Sequence, residues 1–157
     1  MEALAALLEA SALGQWARGS AIAYPVANVL HLLGLVLLIG GIGVVDLRLA
    51  GFLRSLPTVP LAKAMTPFAL AGVGLLALSG AVMFAADAGP MVASEIFRLK
   101  LALIGLGLAH AVLFRWLWRH RLDSWEASPP LAGRLMALGS LGLWLSVGAL
   151  GRWIAYA

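Results

Sequence analysis

The chain lacks cysteine altogether and carries few charges. With no cysteine among its 157 residues, disulfides, thiolate metal sites and cysteine redox chemistry are excluded. Charged residues make up 11% of the chain and hydrophobic residues 62%, whereas soluble domains are roughly a quarter charged and half apolar. A soluble domain of this length could not bury so much apolar surface, so the composition indicates an integral membrane protein.

Acidic residues are also scarce, which gives a net charge of +4 from eleven Lys and Arg against seven Asp and Glu. In a membrane protein this excess reflects topology and contact with anionic lipid, so no nucleic-acid partner is expected. No phosphate-binding glycine loop, paired helical carboxylates or nucleophile–His–Asp set is present, and catalytic residues stay unassigned. No positive cluster precedes the first apolar stretch, so we expect no cleaved signal peptide and a single transmembrane domain over residues 1–157.

Four apolar stretches are long enough to span a bilayer. Each is about 20 residues, the length that crosses ~30 Å of hydrocarbon at ~1.5 Å per residue. Short turns rich in Pro, Gly, Ser and Asp separate them. The sequence therefore predicts an all-α integral membrane four-helix bundle, with spans at about 26–45, 66–86, 97–117 and 135–154.

The first 20 residues have a different pattern. Leu4, Leu7, Leu8 and Trp16 fall near one face of a helix, with polar residues elsewhere. This pattern favours an N-terminal amphipathic helix, over about residues 1–20, that lies in the membrane interface and anchors the protein.

The basic residues predict the orientation of the bundle. The first and third loops carry most of them, and the positive-inside rule places these loops in the cytoplasm and both termini on the opposite side. The basic residues of these loops are Arg48, Arg54, Lys63, Arg115, Arg119, Arg121 and Arg134.

Two histidines lie inside apolar spans, where an ionisable side chain indicates function by default. His31 lies in the outer half of the first span and His110 near the middle of the third. A neutral imidazole on an inward helix face is a good axial ligand for haem iron, and each histidine has a glycine one turn away that leaves room for a flat macrocycle. The alternative is a histidine that only hydrogen-bonds between helices. His120, in the basic Arg119-His120-Arg121 run, is expected to be a solvated surface residue.

The depths of the polar residues restrict where a cofactor could bind. Counted at ~1.5 Å per residue from the middle of each span, His31 lies ~7 Å to the outer side of the membrane midplane and His110 ~3 Å to the inner side. Met83 and Lys100 both come out ~10 Å to the outer side. An outer cluster of His31, Met83 and Lys100 is therefore easier to build than one haem between the two histidines, although a tilted haem or two haems also fit. The alternatives are a packing role for Met83 and contact of Lys100 with outer headgroups.

Two further charges lie at the inner end of the first span. Asp46 and Arg48 are predicted to pair with each other or with charges of the third loop, in a structural role.

The chain resembles a bacterial family of four-helix membrane proteins of unknown function. The resemblance covers most of the chain and rests on Tyr24-Pro25, His31-Leu-Leu-Gly34, Gly40-Gly41, Asp46-Leu-Arg48-Leu-Ala-Gly51, Phe97-Arg98-Leu99-Lys100 and His110. It implies a multi-pass protein of the bacterial inner membrane, where the orientation predicted from the basic residues places both termini on the periplasmic side.

The first span has His31 early and the Arg48-Leu49 pair at its far end, and in the third span Lys100 is followed ten residues later by His110. In these features the chain is loosely similar to HemJ-type protoporphyrinogen oxidase and to the membrane part of CopD-like proteins. The resemblance to HemJ-type proteins implies haem b, with His31 as axial ligand and Lys100 and His110 nearby. The tryptophan and proline that flank the first-helix motif in HemJ-type proteins are absent from residues 40–47.

Three functions therefore remain open. The first is a small haem-b protein, with iron held by His31 and His110 and with Met83 and Lys100 near the cofactor. It would serve in electron transfer or oxidation of a lipophilic substrate such as a quinone or porphyrin. The second is copper-type metal handling or transport by His31, Met83 and His110. The third is an accessory subunit of a larger membrane complex, and a homo-oligomer fits any of the three.

Overall fold

A computed structural model describes residues 2–154 and places no strand among them. Each predicted span falls on one of four long helices, which confirms the predicted all-α four-helix bundle. The helices are α1 (Glu2–Glu9), α2 (Ala12–Gly19), α3 (Ala23–Ala50), α4 (Thr58–Ala86), α5 (Ala88–Ala93), α6 (Glu95–Trp118) and α7 (Leu131–Trp153), with a short 3-10 turn at Leu122–Ser124.

The four long helices, α3, α4, α6 and α7, are long and apolar enough to cross a membrane. Successive long helices run in opposite directions, so the chain reverses direction at both ends of the bundle. We call the end with α1, α2 and α5 the terminal end, and the end formed by residues 51–57 and 119–130 the loop end. The protein is a multi-pass membrane protein, as the composition predicts.

Helix α4 begins at Thr58, eight residues before the predicted span. Pro57 lies at its N-cap and Pro60 in its first turn, where a missing backbone N–H breaks no helical hydrogen bond. Residues 58–65, which lie between the first two predicted spans, are therefore helical and not part of a turn, because the first turn of a helix accepts proline. Helix α4 therefore extends beyond the apolar span, toward the loop end.

The closest approach in the bundle is between α3 and α4. A Cβ added to Gly72 would lie 2.5 Å from the backbone nitrogen of Leu38, and one added to Gly34 would lie 3.0 Å from the Gly72 carbonyl oxygen. A Cβ added to Gly41 would lie 2.9 Å from the Ala69 backbone nitrogen. Glycine at these positions lets the two backbones pack directly, as is usual between helices in lipid.

The centre of the bundle is built around Trp144 of α7. With Leu38 and Val147 it forms a buried cluster to which all four long helices contribute side chains. Gly107 allows α6 to lie against the Trp144 ring, where an added Cβ would come within 3.0 Å of it. Among the described helices, α6 approaches α7 closely but stands further from α3 and α4.

At the loop end, the third loop covers the end of α3. Trp125 is 1% exposed, and its indole N–H donates to the Leu49 carbonyl at 3.1 Å. Arg134 donates to the Ala50 carbonyl at 2.8 Å. Helix C-termini leave carbonyls without helical partners, and these two side chains satisfy two of them. Gly51 ends α3 in the left-handed region, with φ 105°.

Arg48 and Glu126 join the same loop to α4. The Arg48 guanidinium lies 3.6 Å from the Glu126 carboxylate and donates to the Leu56 carbonyl. Glu126 in turn accepts from the Thr58 backbone N–H at 2.8 Å, at the start of α4. The predicted pairing of Arg48 with the third loop is confirmed. Its pairing with Asp46 is wrong, because residues two apart in a helix face in nearly opposite directions.

The N-terminal segment forms two helices rather than one continuous helix, because Ser11 caps α2 by accepting from the Gly14 N–H at 3.2 Å. Small residues of α1 and α2 (Ala5, Gly14 and Ala17) are buried, while the large apolar side chains are exposed. Exposed large apolar side chains on α1 and α2 suit the predicted position of this segment in the membrane interface.

Glu9 and Arg18 attach these two helices to the turn between α4 and α5. Arg18 donates twice to the Ala86 carbonyl, at 3.0 and 2.6 Å, and Glu9 accepts from the Gly89 N–H at 2.7 Å. Their side chains also pair at 3.3 Å. The Gly89 hydrogen bond and the Arg18 charge lower the pKa of Glu9 from its ordinary value.

Candidate functional site

His31 is fixed in the terminal half of the bundle by a serine of the neighbouring helix. Its Nδ1 lies 2.9 Å from the Ser79 Oγ of α4. The imidazole is half-buried and Ser79 is buried. The close α3–α4 packing brings the two side chains together.

The hydrogen bonds of Ser79 determine which ring nitrogen of His31 carries the proton. The Ser79 hydroxyl donates its only hydrogen to the Leu75 carbonyl, at 2.5 Å. Its oxygen can therefore only accept from His31, so the neutral ring is protonated at Nδ1. The Nε2 lone pair is then free to bind a metal. Metal-binding histidines are commonly held in this way, by a partner on the other nitrogen.

Gly80 lies beside the His31 ring, and Lys100 lies in the same half of the bundle. A Cβ at Gly80 would come within 3.3 Å of the His31 Cε1, so glycine provides the space for the ring. Lys100 of α6 interacts electrostatically with His31. Its Nζ lies over Gly151 of α7, where an added Cβ would be 3.2 Å away. Three helices thus bring an imidazole and an ammonium into the same half of the bundle.

Met83 and two aromatic rings lie toward the terminal end from this site. Met83 is half-buried one turn after Ser79 on α4, on roughly the same helix face. The next residue, Phe84, stacks on Phe97 of α6, with ring centroids 5.5 Å apart and planes 8° apart. This aromatic pair bridges α4 and α6 between the site and the terminal end.

His110 lies away from this group of residues. It is ten residues beyond Lys100 on α6, which corresponds to ~15 Å along the helix axis. It is half-buried, near the face that Gly107 packs on α7. Among the described residues, Lys100 interacts electrostatically with His31, and no hydrogen bond joins the two histidines. His120 is exposed at the loop end, as expected, and accepts from the Arg119 side chain at 2.9 Å.

Ser79 was not among the residues predicted for the site. A serine in an apolar span usually donates to a backbone carbonyl one turn earlier, so alone it carries little signal. The sequence feature that could have indicated Ser79 was its depth in the membrane. Ser79 precedes Met83 by one helical turn and lies close to the depth of His31. Lys100, His31 and Met83 all lie in the terminal half of the bundle.

The fold and this site define a polytopic four-helix membrane protein with a polar group of residues inside an apolar bundle. The chain belongs to the family of unknown function DUF6644, whose model matches residues 6–157. This membership confirms the predicted resemblance to a membrane family without an assigned activity. No curated protein and no solved structure matches the chain significantly, and the looser similarity to HemJ-type and CopD-like proteins stays a prediction.

Proposed function

We propose that this protein binds haem b in the terminal half of the bundle, with His31 as an axial ligand. The observation that carries the proposal is the hydrogen bond from His31 to Ser79, which leaves the His31 Nε2 free for iron. An imidazole with a fixed tautomer in an apolar environment is a typical axial ligand.

Lys100 supplies a second element of the proposed site. Haem b carries two propionates, and a carboxylate in an apolar bundle needs a cation close by. The Lys100 ammonium lies in the same half of the bundle as His31. It would pair with a propionate and so fix the orientation of the macrocycle.

The set of ligands favours iron in a macrocycle over a bare metal ion. Among residues 2–154, no group of three or more His, Asp or Glu side chains could hold an ion. A porphyrin already provides four nitrogen ligands, so one or two protein ligands are enough. The wider spacing of α6 from α3 and α4 supports insertion of a flat group between these helices.

Met83 is the best candidate for a second axial ligand. It lies on the same face of α4 as Ser79 and within the same half of the bundle as His31. His110, ~15 Å from Lys100 along α6, would serve only a second haem or a different role. A methionine ligand raises the reduction potential relative to a second histidine.

The haem would supply one-electron chemistry, and the protein would bind and tune it. Since the site lies within the four spans, a lipophilic partner such as a quinone or a porphyrin could reach it from the bilayer. We therefore propose electron transfer or oxidation of a lipophilic substrate as the function.

A visible spectrum tests this proposal. Protein purified from haem-replete cells should show a Soret band, and His31→Ala should lose it. His120→Ala is the matched control, because His120 is exposed at the loop end, and it should keep the band. A colourless wild-type preparation would overturn the haem proposal. Copper retained by that preparation and lost in His31→Ala would favour metal handling instead.

We also propose that the loop end faces the cytoplasm of a bacterial inner membrane. Seven of the eleven Lys and Arg residues lie at or near this end, as the positive-inside rule requires. Because the chain has no cysteine, single cysteines can report its topology. Gly19→Cys should react with an impermeant maleimide on intact spheroplasts, and Ser55→Cys only after permeabilisation. The reverse pattern would show the opposite orientation.

A further inference from the structure

A second polar group inside the bundle lies near the loop end, in the opposite half from His31. Asp46 of α3 is only 6% exposed, and so is Ser140 of α7. Helix α7 packs against α3 and brings the Ser140 hydroxyl within reach of the Asp46 carboxyl. The Oδ2 atom of Asp46 is buried without a hydrogen-bond partner. Asp46 is 15 residues from His31, or ~22 Å along α3, so it belongs to a separate site.

The basic side chains near the loop end of α3 are directed to other groups or exposed. Arg48 is directed to the Leu56 carbonyl and Glu126, Arg54 to the Gly51 carbonyl, and Arg134 of α7 to the Ala50 carbonyl. Lys63 of α4 is exposed.

The titratable groups of α6 toward this half of the bundle are the half-buried His110 and the exposed Arg115. Lys100 of α6 lies with His31 in the terminal half, and on α2 Arg18 pairs with Glu9 at the terminal end. Within residues 2–154, Asp46 forms no salt bridge.

An ionised carboxylate in this position would be a buried charge without a counter-ion. The transfer of such a charge out of water is strongly unfavourable, and buried acids avoid it by taking up a proton or binding a cation. A protonated carboxyl needs only ordinary hydrogen-bond partners, and the nearby Ser140 hydroxyl can supply one. The unpartnered oxygen is where a proton or a cation would bind.

We infer that Asp46 is a proton-binding site inside the membrane domain, with Ser140 as its hydrogen-bond partner. The ligand is a proton rather than a metal ion, because the two side chains offer too few oxygens to coordinate a hard cation, which takes six or more. The site is independent of haem, so it can be tested on apoprotein and on haem-loaded protein alike.

Infrared spectroscopy of the whole protein in lipid nanodiscs tests the inference. At neutral pH, wild-type protein should show the carbonyl stretching band of a protonated carboxylic acid, shifted in heavy water. Asp46→Asn should lose the band, and Ser140→Ala should shift it through the lost hydrogen bond. Asp123→Asn is the matched control, since Asp123 is exposed, and it should leave the band unchanged.

A second measurement covers the case in which Asp46→Asn does not fold. Aspartate labelled with carbon-13 at the carboxyl should shift the band in wild-type protein, whereas labelled glutamate should not. Absence of a protonated-acid band from wild-type protein would overturn the inference. A carboxylate band of Asp46 that responds to sodium would overturn it too, and would identify a cation site.

Discussion

The Nδ1 of His31 lies 2.9 Å from the Oγ of Ser79, and this hydroxyl already donates to the Leu75 carbonyl. The serine therefore acts as an acceptor that fixes the tautomer of the histidine. This relationship between α3 and α4 determines which nitrogen of His31 is available for a ligand.

Removal of the Ser79 hydroxyl should weaken haem binding without abolishing it. In Ser79→Ala the His31 ring loses its partner and rotates more freely, and loss of such a partner typically lowers metal affinity by 10- to 100-fold. We expect at least a roughly tenfold rise in the haem Kd, measured by titration of apoprotein. Ser146→Ala is the control, because Ser146 also donates to a carbonyl four residues earlier but lies on an exposed face. Equal effects of the two variants would contradict the role of Ser79.

The α3–α4 packing should not tolerate even a methyl group at Gly72. A Cβ there would lie 2.5 Å from the Leu38 nitrogen, so Gly72→Ala should separate the backbones and destabilise the bundle by about 1–3 kcal/mol. Thermal unfolding in detergent would measure this loss. Gly74→Ala, two residues away on the same helix, meets nothing within 4 Å and should be neutral or slightly stabilising. A normal melting temperature in Gly72→Ala would show that the packing is looser than described.

The attachment of α1 to α5 should weaken in acid. The pKa of Glu9 is lowered, chiefly by the Gly89 hydrogen bond. The stabilisation it gives is therefore fully present above the ordinary value of 4.5 and is lost as the pH falls through the lower pKa of the folded state. Hydrogen exchange of residues 2–19 should accelerate over that range. Glu9→Gln should exchange faster already at neutral pH, while Glu95→Gln, whose carboxylate is 91% exposed, should not. Unchanged exchange in Glu9→Gln would contradict this attachment.

Trp125 should be the most sensitive aromatic residue of the loop end. It is almost fully buried, and Gly133 leaves no space for a Cβ against its ring. Trp125→Ala should cost about 3–5 kcal/mol, and Trp125→Phe about 1 kcal/mol through the lost hydrogen bond to Leu49. Chemical denaturation in detergent would rank the variants. Trp116 is 68% exposed, so Trp116→Phe should have little effect on stability. A similar loss of stability in both phenylalanine variants would show that the hydrogen bond to Leu49 adds nothing.

The four spans were predictable because lipid imposes a simple rule of length and hydropathy. The helix ends were not, because they depend on caps. Helix α4 extends beyond its apolar span, from Lys63 back to Thr58. There the Glu126 carboxylate, 68 residues away in the chain, accepts from the Thr58 backbone N–H. The break between α1 and α2 likewise depends on the cap formed by Ser11. Serine is also common inside turns, so the residue type alone does not predict a helix cap there.

The site was predictable only as a set of depths. Counting residues places His31, Lys100 and Met83 in one half of the membrane, but it cannot say which helix faces which. Ser79 emerges as a partner of His31 only because Gly34 and Gly72 bring α3 and α4 together. Asp46 and Arg48 were predicted to pair with each other or with charges of the third loop, since sequence proximity does not reveal that the Asp46 carboxyl lies toward Ser140.

The third loop has a consequence for biogenesis. Trp125 and Arg134, which complete the C-terminal end of α3, follow their partners by 76 and 84 residues. Until the second hairpin is inserted, the carbonyls of Leu49 and Ala50 have only water as a partner. A truncation before residue 125 should therefore lack both side-chain partners, and the two-helix fragment should be degraded faster than the full chain in a pulse-chase experiment.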